Sequence, residues 1–363
     1  MKILLIGPLP KPITGVSLAN KTLLACFRKK GIQVSAINTI SKLGVSSKGG
    51  EHFSLLKVIE FLLIYLKVFK IGFPNIIYCT PGQTFFGVAK YAPFIFYAKL
   101  FKIPYVIHLH GNYLGREYSQ LVGWKKRVFK KLIAGAAAGI VLSKSLRKNF
   151  EGLIPQTCVF EVKNFVNEYI ILKNLQEKSY EQPVFLFLSN LMKEKGIGAF
   201  LDALAVLKSE NKKFKAFIAG AIETGMKERI EQKLEALKPE AEYLGVVQGK
   251  EKRAVLLRSN IFVFPTFYAM EGQPIALLEA MATGNIPVVT AHAGIPDVVS
   301  PENAVFVEKE NVQDLVQQLS VLAGNLKGYK SMAALNLEMI KEAYREEKFS
   351  DAVLCILKKY AKA

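Results

Sequence analysis

The chain has 363 residues, 51% of them hydrophobic, and its 49 Lys and Arg against 30 Asp and Glu give a formal net charge of +19. That length suits two domains of roughly 150–200 residues each, and that apolar content excludes a disordered chain. The whole charge excess lies in residues 1–180, which hold 26 Lys and Arg, 7 Glu and no Asp; the rest is balanced at 23 of each sign. Two halves with different electrostatic tasks follow, the first facing something anionic.

The four cysteines, Cys26, Cys79, Cys158 and Cys355, have no CxxC spacing, so zinc ribbons and thioredoxin-type motifs are excluded and the thiols read as reduced and cytosolic. The start, Met1 to Leu4, lacks a charged region and cleavage site, so no signal peptide is expected. The longest apolar runs, 53–73 and 91–109, are broken by charges such as Lys67 and Lys99, so neither is expected to span a membrane, though both suit its surface.

In chain order, Lys2–Ile6 reads as a strand ending at Gly7, and Val16–Lys30 as a helix with Leu18, Leu23, Leu24 and Phe27 on one side. Gly31 then leads into a strand at Ile32–Ile37. This is the opening of a doubly wound α/β domain. Strands are expected at Asn75–Cys79, Tyr105–Leu109, Gly139–Leu142 and Val159–Val162. A polar, proline-terminated stretch near Pro183 marks a linker at 171–183 between a first domain (1–170) and a second (184–340). In the latter, strands Val184–Leu188, Lys215–Ala219, Ala241–Leu244, Ile261–Phe264 and Ile286–Thr290 alternate with helices Ile197–Lys208, Met226–Leu237, Glu251–Arg258 and Pro274–Thr283. The tail from 312 is helical, with Ile340, Tyr344, Val353, Ile356 and Leu357 as expected core positions, and 341–363 is expected to return to the first domain. Two such domains place a cleft between the carboxyl edges of their sheets.

The segment from Phe264 to Gly284 is the most informative. A loop carrying Glu271 and Gly272 joins a buried strand to a helix expected to start near Pro274. Free amides at that start suit a diphosphate, and Glu271 and Glu279 suit sugar hydroxyls, which donate to carboxylates. Taken alone, the same residues read equally as a capping Glu and a solvated helical Glu. After the strand at 184–188, Lys195-Gly196 reads by itself as a solvated loop charge. The first strand is followed by Thr14-Gly15, either a phosphate or acceptor contact loop or a plain proline-rich turn; it is not GxGxxG, which argues against a dinucleotide dehydrogenase. His108 and His110 share one face of a strand end, but no third metal ligand is evident. Ser143 and Asn164 lie at matching strand ends.

Glu271, seven residues, Glu279, then Ala280-Met281-Ala282-Thr283-Gly284, with Gly294-Ile295-Pro296-Asp297 beyond, resembles the signature of the family 4 retaining glycosyltransferases (glycosyl transferases group 1) of the GT-B fold. The resemblance is dense over about 184–310 and weaker over 1–170. It implies two Rossmann-like parallel-sheet domains and a hexosyltransferase-type enzyme. It places Glu271 at the donor sugar, Glu279 at the ribose, Lys195 at the diphosphate and His110 at donor sugar and acceptor, with His108 as a packing residue. Gly272, Gln273, Ile275, Ala276, Thr14 and Gly15 complete the expected donor contacts. Two departures stand out. Asn190 replaces the family's Arg, and Gln273-Pro274 replaces an aromatic and a Gly, so the amides of Ile275 and Ala276 become the phosphate donors. The four aspartates are never two residues apart, so no DxD metal site is expected and no cofactor is implied.

The expected reaction moves sugar from a nucleotide-sugar to an acceptor hydroxyl on a lipid-linked or polysaccharide precursor. The basic half, above all Leu121–Ile133 with the single Trp124, suits an anionic membrane surface and places the protein peripherally on the cytoplasmic face; nucleic acid ranks lower for want of a recognition motif. The alternatives are a soluble GT-B enzyme making a small glycoside, or a non-catalytic basic protein keeping the fold.

Overall fold

The computed structural model describes residues 1–40 and 63–362. It divides into two compact units, Met1–Asn164 with Glu346–Ala363, and Phe165–Arg345. The first ten residues of the apolar run 53–73 lie outside the described residues.

In the first unit, β1 (Lys2–Gly7), β2 (Gln33–Asn38), β3 (Ile76–Cys79), β4 (Tyr105–His108), β5 (Ala138–Val141) and β6 (Val159–Glu161) form one parallel sheet in the order β2-β1-β3-β4-β5-β6. β3, β4 and β5 are buried at every position, as parallel strands covered on both faces must be. Alternation sends Leu4, Cys79 and Ile107 to one face, where α2 (Phe85–Ala89), α3 (Ala92–Leu100) and α5 (Gly123–Ile133) cover them with Phe85, Phe94 and Phe129. A short helix, α4 (Leu114–Gln120), precedes α5.

The helix α1 (Gly15–Lys29) packs on α12 (Glu346–Tyr360), and α12 reaches β3. Val353, Ile356 and Leu357 are buried there. The α5 helix turns Phe129, Leu132 and Ile133 inward and leaves Trp124 and Val128 outside. Three of the seven apolar residues read as interfacial in 121–133 are therefore core.

The second unit has β7 (Val184–Leu188), β8 (Lys215–Ala219), β9 (Ala241–Tyr243), β10 (Ile261–Phe264), β11 (Ile286–Thr290) and β12 (Val305–Val307), all parallel, in the order β12-β11-β10-β7-β8-β9. The chain direction across the sheet reverses between β7 and β10, the switch point of a Rossmann-type order. The connecting helices are α6 (Ile197–Ser209), α7 (Lys227–Ala236), α8 (Gly249–Arg258) and α9 (Ile275–Ala282), followed by α10 (Val312–Gly324) and α11 (Lys330–Ala343). The sequence reading missed β12, an edge strand of three residues with too short a pattern to register.

The unit boundaries differ from those expected. Residues 171–183 pack into the second unit instead of linking two domains. Tyr180 Oη donates to the Gly284 carbonyl at 2.6 Å and Lys178 Nζ to the Leu256 carbonyl at 2.6 Å. Phe165, Val166 and Ile170 are also buried in that unit, and Val166 N–H donates to the Tyr344 carbonyl at 2.8 Å. The tail changes units after Arg345, which pairs with Glu168 at 2.9 Å. Composition marked these turns as polar, but tertiary hydrogen bonds decide which body a turn joins.

Candidate active site

The loops after β7 and β10 flank the switch point of the second sheet, where open α/β sheets bind ligands. One turn, Lys193–Lys195, follows β7, and Gly196 then takes φ +84° to start α6. A Cβ on Gly196 would lie 2.5 Å from the Pro265 carbonyl oxygen, so only glycine lets the two loops close this far. Phe267 N–H donates to the Glu194 carbonyl at 2.8 Å, and Thr266 Oγ1 donates to it at 3.2 Å. Clasped in this way, Lys195 Nζ lies 2.5 Å from Glu271 Oε2, which is also 3.3 Å from Thr266 Oγ1. Lys195 Nζ sits 4.6 Å from the centre of the Tyr268 ring and 5.3 Å from that of Phe264. Cation–π attraction and a carboxylate hold the ammonium in place. Burial, with Glu271 and Glu194 nearby, raises the Tyr268 phenol above its ordinary value.

Glu279 lies in α9, 2% exposed, and pairs with Lys252 Nζ from α8. Burial raises its carboxyl above the ordinary range, and Lys252 opposes the shift. Pro274 is the N-cap of α9 (ψ 121°) and not its first helical residue, and no side chain caps the helix. Ile275 and Ala276, both half-buried residues, open the helix. An uncapped N-terminus presents donors and positive potential to an anion. Gly272 and Gln273 are buried just before it, with the Gly272 carbonyl accepting from Gly294 N–H at 3.0 Å. Asn190 is exposed on the loop after β7.

In the first unit, Thr14 caps α1. Its Oγ1 accepts from Ser17 N–H at 3.1 Å, while Thr14 N–H donates to Ser17 Oγ at 2.8 Å. This capping box commits the Thr14 side chain to the helix and leaves the exposed Gly15 as the first helical residue. His110 stacks on His108 with ring centres 4.2 Å apart, and neither His110 ring nitrogen has a hydrogen-bond partner among the described residues. Burial pushes His110 down to about 4 and His108 well below its ordinary value, so both imidazoles are neutral near pH 7. Tyr78 Oη and His108 Nδ1 are 2.6 Å apart. Ser143 and Asn164 are buried. Among the described residues no group of three His, Cys, Asp or Glu could hold a metal ion.

The structure thus brings Lys195, Glu271 and the start of α9 together and places Glu279 one turn into that helix. Thr14, Gly15 and His110 belong to the other unit. Sequence reasoning missed Lys252 and His292. Lys252 is one lysine in a charged helix, with no local mark of its tertiary partner. His292 follows β11, and its Nε2 lies 2.8 Å from the Tyr268 carbonyl; a polar residue just past a buried strand was the available signal.

Residues 171–345 match the family model for glycosyl transferases group 1. Over 143 residues the chain is 33% identical to the "Putative colanic acid biosynthesis glycosyltransferase WcaL" of Escherichia coli (strain K12), covering 37% of this chain and 34% of that one. Over 126 residues it is 33% identical to the amylovoran biosynthesis glycosyltransferase AmsK of Erwinia amylovora, covering 32% of this chain and 30% of that one. The match therefore spans about a third of the length of these relatives. Anabaena Alr3699/HepE in complex with UDP superposes with a TM-score of 0.74 at 14% identity, covering 99% of this chain and 100% of that one. Two six-stranded parallel sheets give the chain a GT-B fold, and the family match lies wholly within the second unit, Phe165–Arg345.

Proposed function

We propose that this chain transfers a hexose from a nucleotide-sugar to an acceptor hydroxyl of a polysaccharide precursor carried on a lipid, with retention and without a metal. The observation that carries this reading is the Lys195–Glu271 pair beside the uncapped start of α9 at the switch point. A diphosphate there meets the ammonium of Lys195 and the amides of Ile275 and Ala276. These supply positive charge where the leaving group develops negative charge, the largest lever such a site has. Arrival of the diphosphate draws Lys195 from Glu271, whose oxygens then accept from sugar hydroxyls. Glu279 accepts from the ribose.

In the step itself the bond from the anomeric carbon to the diphosphate oxygen breaks as the acceptor oxygen bonds that carbon on the same face. The acceptor proton passes to the departing phosphate oxygen, so no protein nucleophile is required. With no charge at Asn190, neutralisation rests on Lys195 and the helix dipole. The saccharide acceptor is supported by the names of the relatives WcaL and AmsK, and the nucleotide by the UDP bound to HepE.

The test incubates purified protein with a panel of nucleotide-sugars and follows release of the nucleoside diphosphate. Release that is lost in Glu271→Gln and unaffected by chelation supports the reading. No release and no thermal shift with any donor rejects it, and leaves the basic non-catalytic alternative.

A further inference from the structure

We infer that the outer face of the helical layer over the first sheet docks on an anionic phospholipid bilayer. The inference rests on the proposed lipid-borne acceptor only for its purpose; the surface stands by itself. The short turn Leu66–Lys70 and helices α2, α3 and α5 all pack inward onto the same face of the sheet through one apolar cluster. Their other side carries Phe69 (86% exposed), Phe73, Leu100, Phe86 and Trp124, all more than half exposed.

These side chains are organised, not scattered. The Phe73 and Phe101 rings meet edge to face at 5.5 Å, and Phe101 lies 4.4 Å from Tyr97, whose hydroxyl donates to the Gly72 carbonyl at 2.9 Å. Trp124 meets Phe85 edge to face at 5.6 Å. So many large apolar groups held open to water on one layer mark an interaction surface.

The charge on that layer selects the partner. Residues 61–150 hold 14 Lys and Arg and one carboxylate, Glu117. Glu117 Oε1 already accepts from Phe85 N–H at 2.7 Å, at the start of α2. Lys70, Lys99, Lys102, Lys125 and Lys130 are exposed on or beside the same elements, and Lys125 Nζ lies 5.8 Å from the centre of the Phe85 ring. Exposed aromatic groups on a layer with many lysines and a single carboxylate fit the boundary between anionic headgroups and acyl chains. No helix among the described residues is long and apolar enough to cross a membrane.

Trp124 is the only tryptophan and reports on the surface directly. The full chain is mixed with vesicles of phosphatidylcholine containing about 30% phosphatidylglycerol, and with pure phosphatidylcholine vesicles. Expected are co-sedimentation and a blue shift of Trp124 emission with the anionic vesicles alone, both reversed by high salt. Phe69→Ser/Phe73→Ser/Leu100→Ser weakens binding at least tenfold with its melting temperature and donor turnover in free solution unchanged. Lys70→Glu/Lys99→Glu/Lys102→Glu does the same through the salt-sensitive part. Absence of binding at low salt, or equal binding by the serine variant, overturns the proposal. So does a self-associated state that the serine substitutions abolish, which would make the face a contact between copies. Vesicle binding without donor turnover would fail the transferase reading and leave this one standing.

Discussion

Lys195 and Glu271, 76 residues apart in the chain, form a mostly buried ion pair with Nζ and Oε2 separated by 2.5 Å. Their side chains are 12% and 9% exposed, so neither charge is well hydrated without the other. Lys195→Ala is expected to cost about 3 kcal/mol of stability by leaving a buried carboxylate unpaired. Lys195→Met/Glu271→Gln recovers most of that in denaturant titrations, yet transfer falls by roughly 10²-fold or more in both variants. Normal turnover in either would remove the pair from the site.

Gly196 sets the approach of the two loops. Gly196→Ala puts a Cβ against the Pro265 carbonyl at a φ of +84°. A loss of about 1–3 kcal/mol is expected, with weaker nucleotide binding because Lys195 is adjacent. A variant with unchanged melting temperature and unchanged UDP affinity would show that the loops close by other means.

The start of α9 can be probed one donor at a time. Pro274 is already extended, as a residue preceding proline must be, and Ile275 occupies the first helical position. Ile275→Pro therefore deletes a single N–H while leaving the helix in place. A roughly fivefold loss of UDP affinity, about 1 kcal/mol, is expected by calorimetry. Undiminished affinity would clear that amide of any phosphate contact.

Glu279 links Lys252 to the acid–base behaviour of the fold. Its carboxyl is raised by burial, so the native state holds the proton more tightly than the unfolded chain does. Stability falls as pH rises from the ordinary carboxylate value through the raised one. Lys252→Ala removes the opposing charge and extends that fall to higher pH, which urea titrations across the acid range will show. An unchanged pH profile in Lys252→Ala would mean the pair has no electrostatic effect on Glu279.

His110 acts in the opposite sense. Its imidazole is depressed to about 4, so the unfolded chain binds the proton more tightly, and stability is lost as pH falls from the ordinary histidine value toward about 4. His110→Gln should flatten this part of the profile without affecting stability at neutral pH. A persistent slope would assign the effect to His108, which is depressed in the same direction.

Much of this protein is local and therefore legible in one dimension. Strands such as Val184–Leu188, Lys215–Ala219 and Ile261–Phe264 match their expected bounds to the residue, because fully buried parallel strands are short apolar runs ended by polar turns. Glu271, Glu279 and the residues after them carry the family resemblance, and that resemblance is what points to this loop and helix as the candidate site.

What sequence alone left open depends on long-range partners. The residues at 171–183 join the second unit because Lys178 and Tyr180 find carbonyls there, 78 and 104 residues away. Lys252 reaches Glu279 through the packing of α8 and α9. The large charge excess of the first half was plain from residue counts. The packing of α2, α3 and α5 on one sheet face decided which of that half's aromatic residues became core, as Phe129 did, and which stayed in water, as Trp124 did. A residue's chemistry is local, but its neighbours are chosen by the fold.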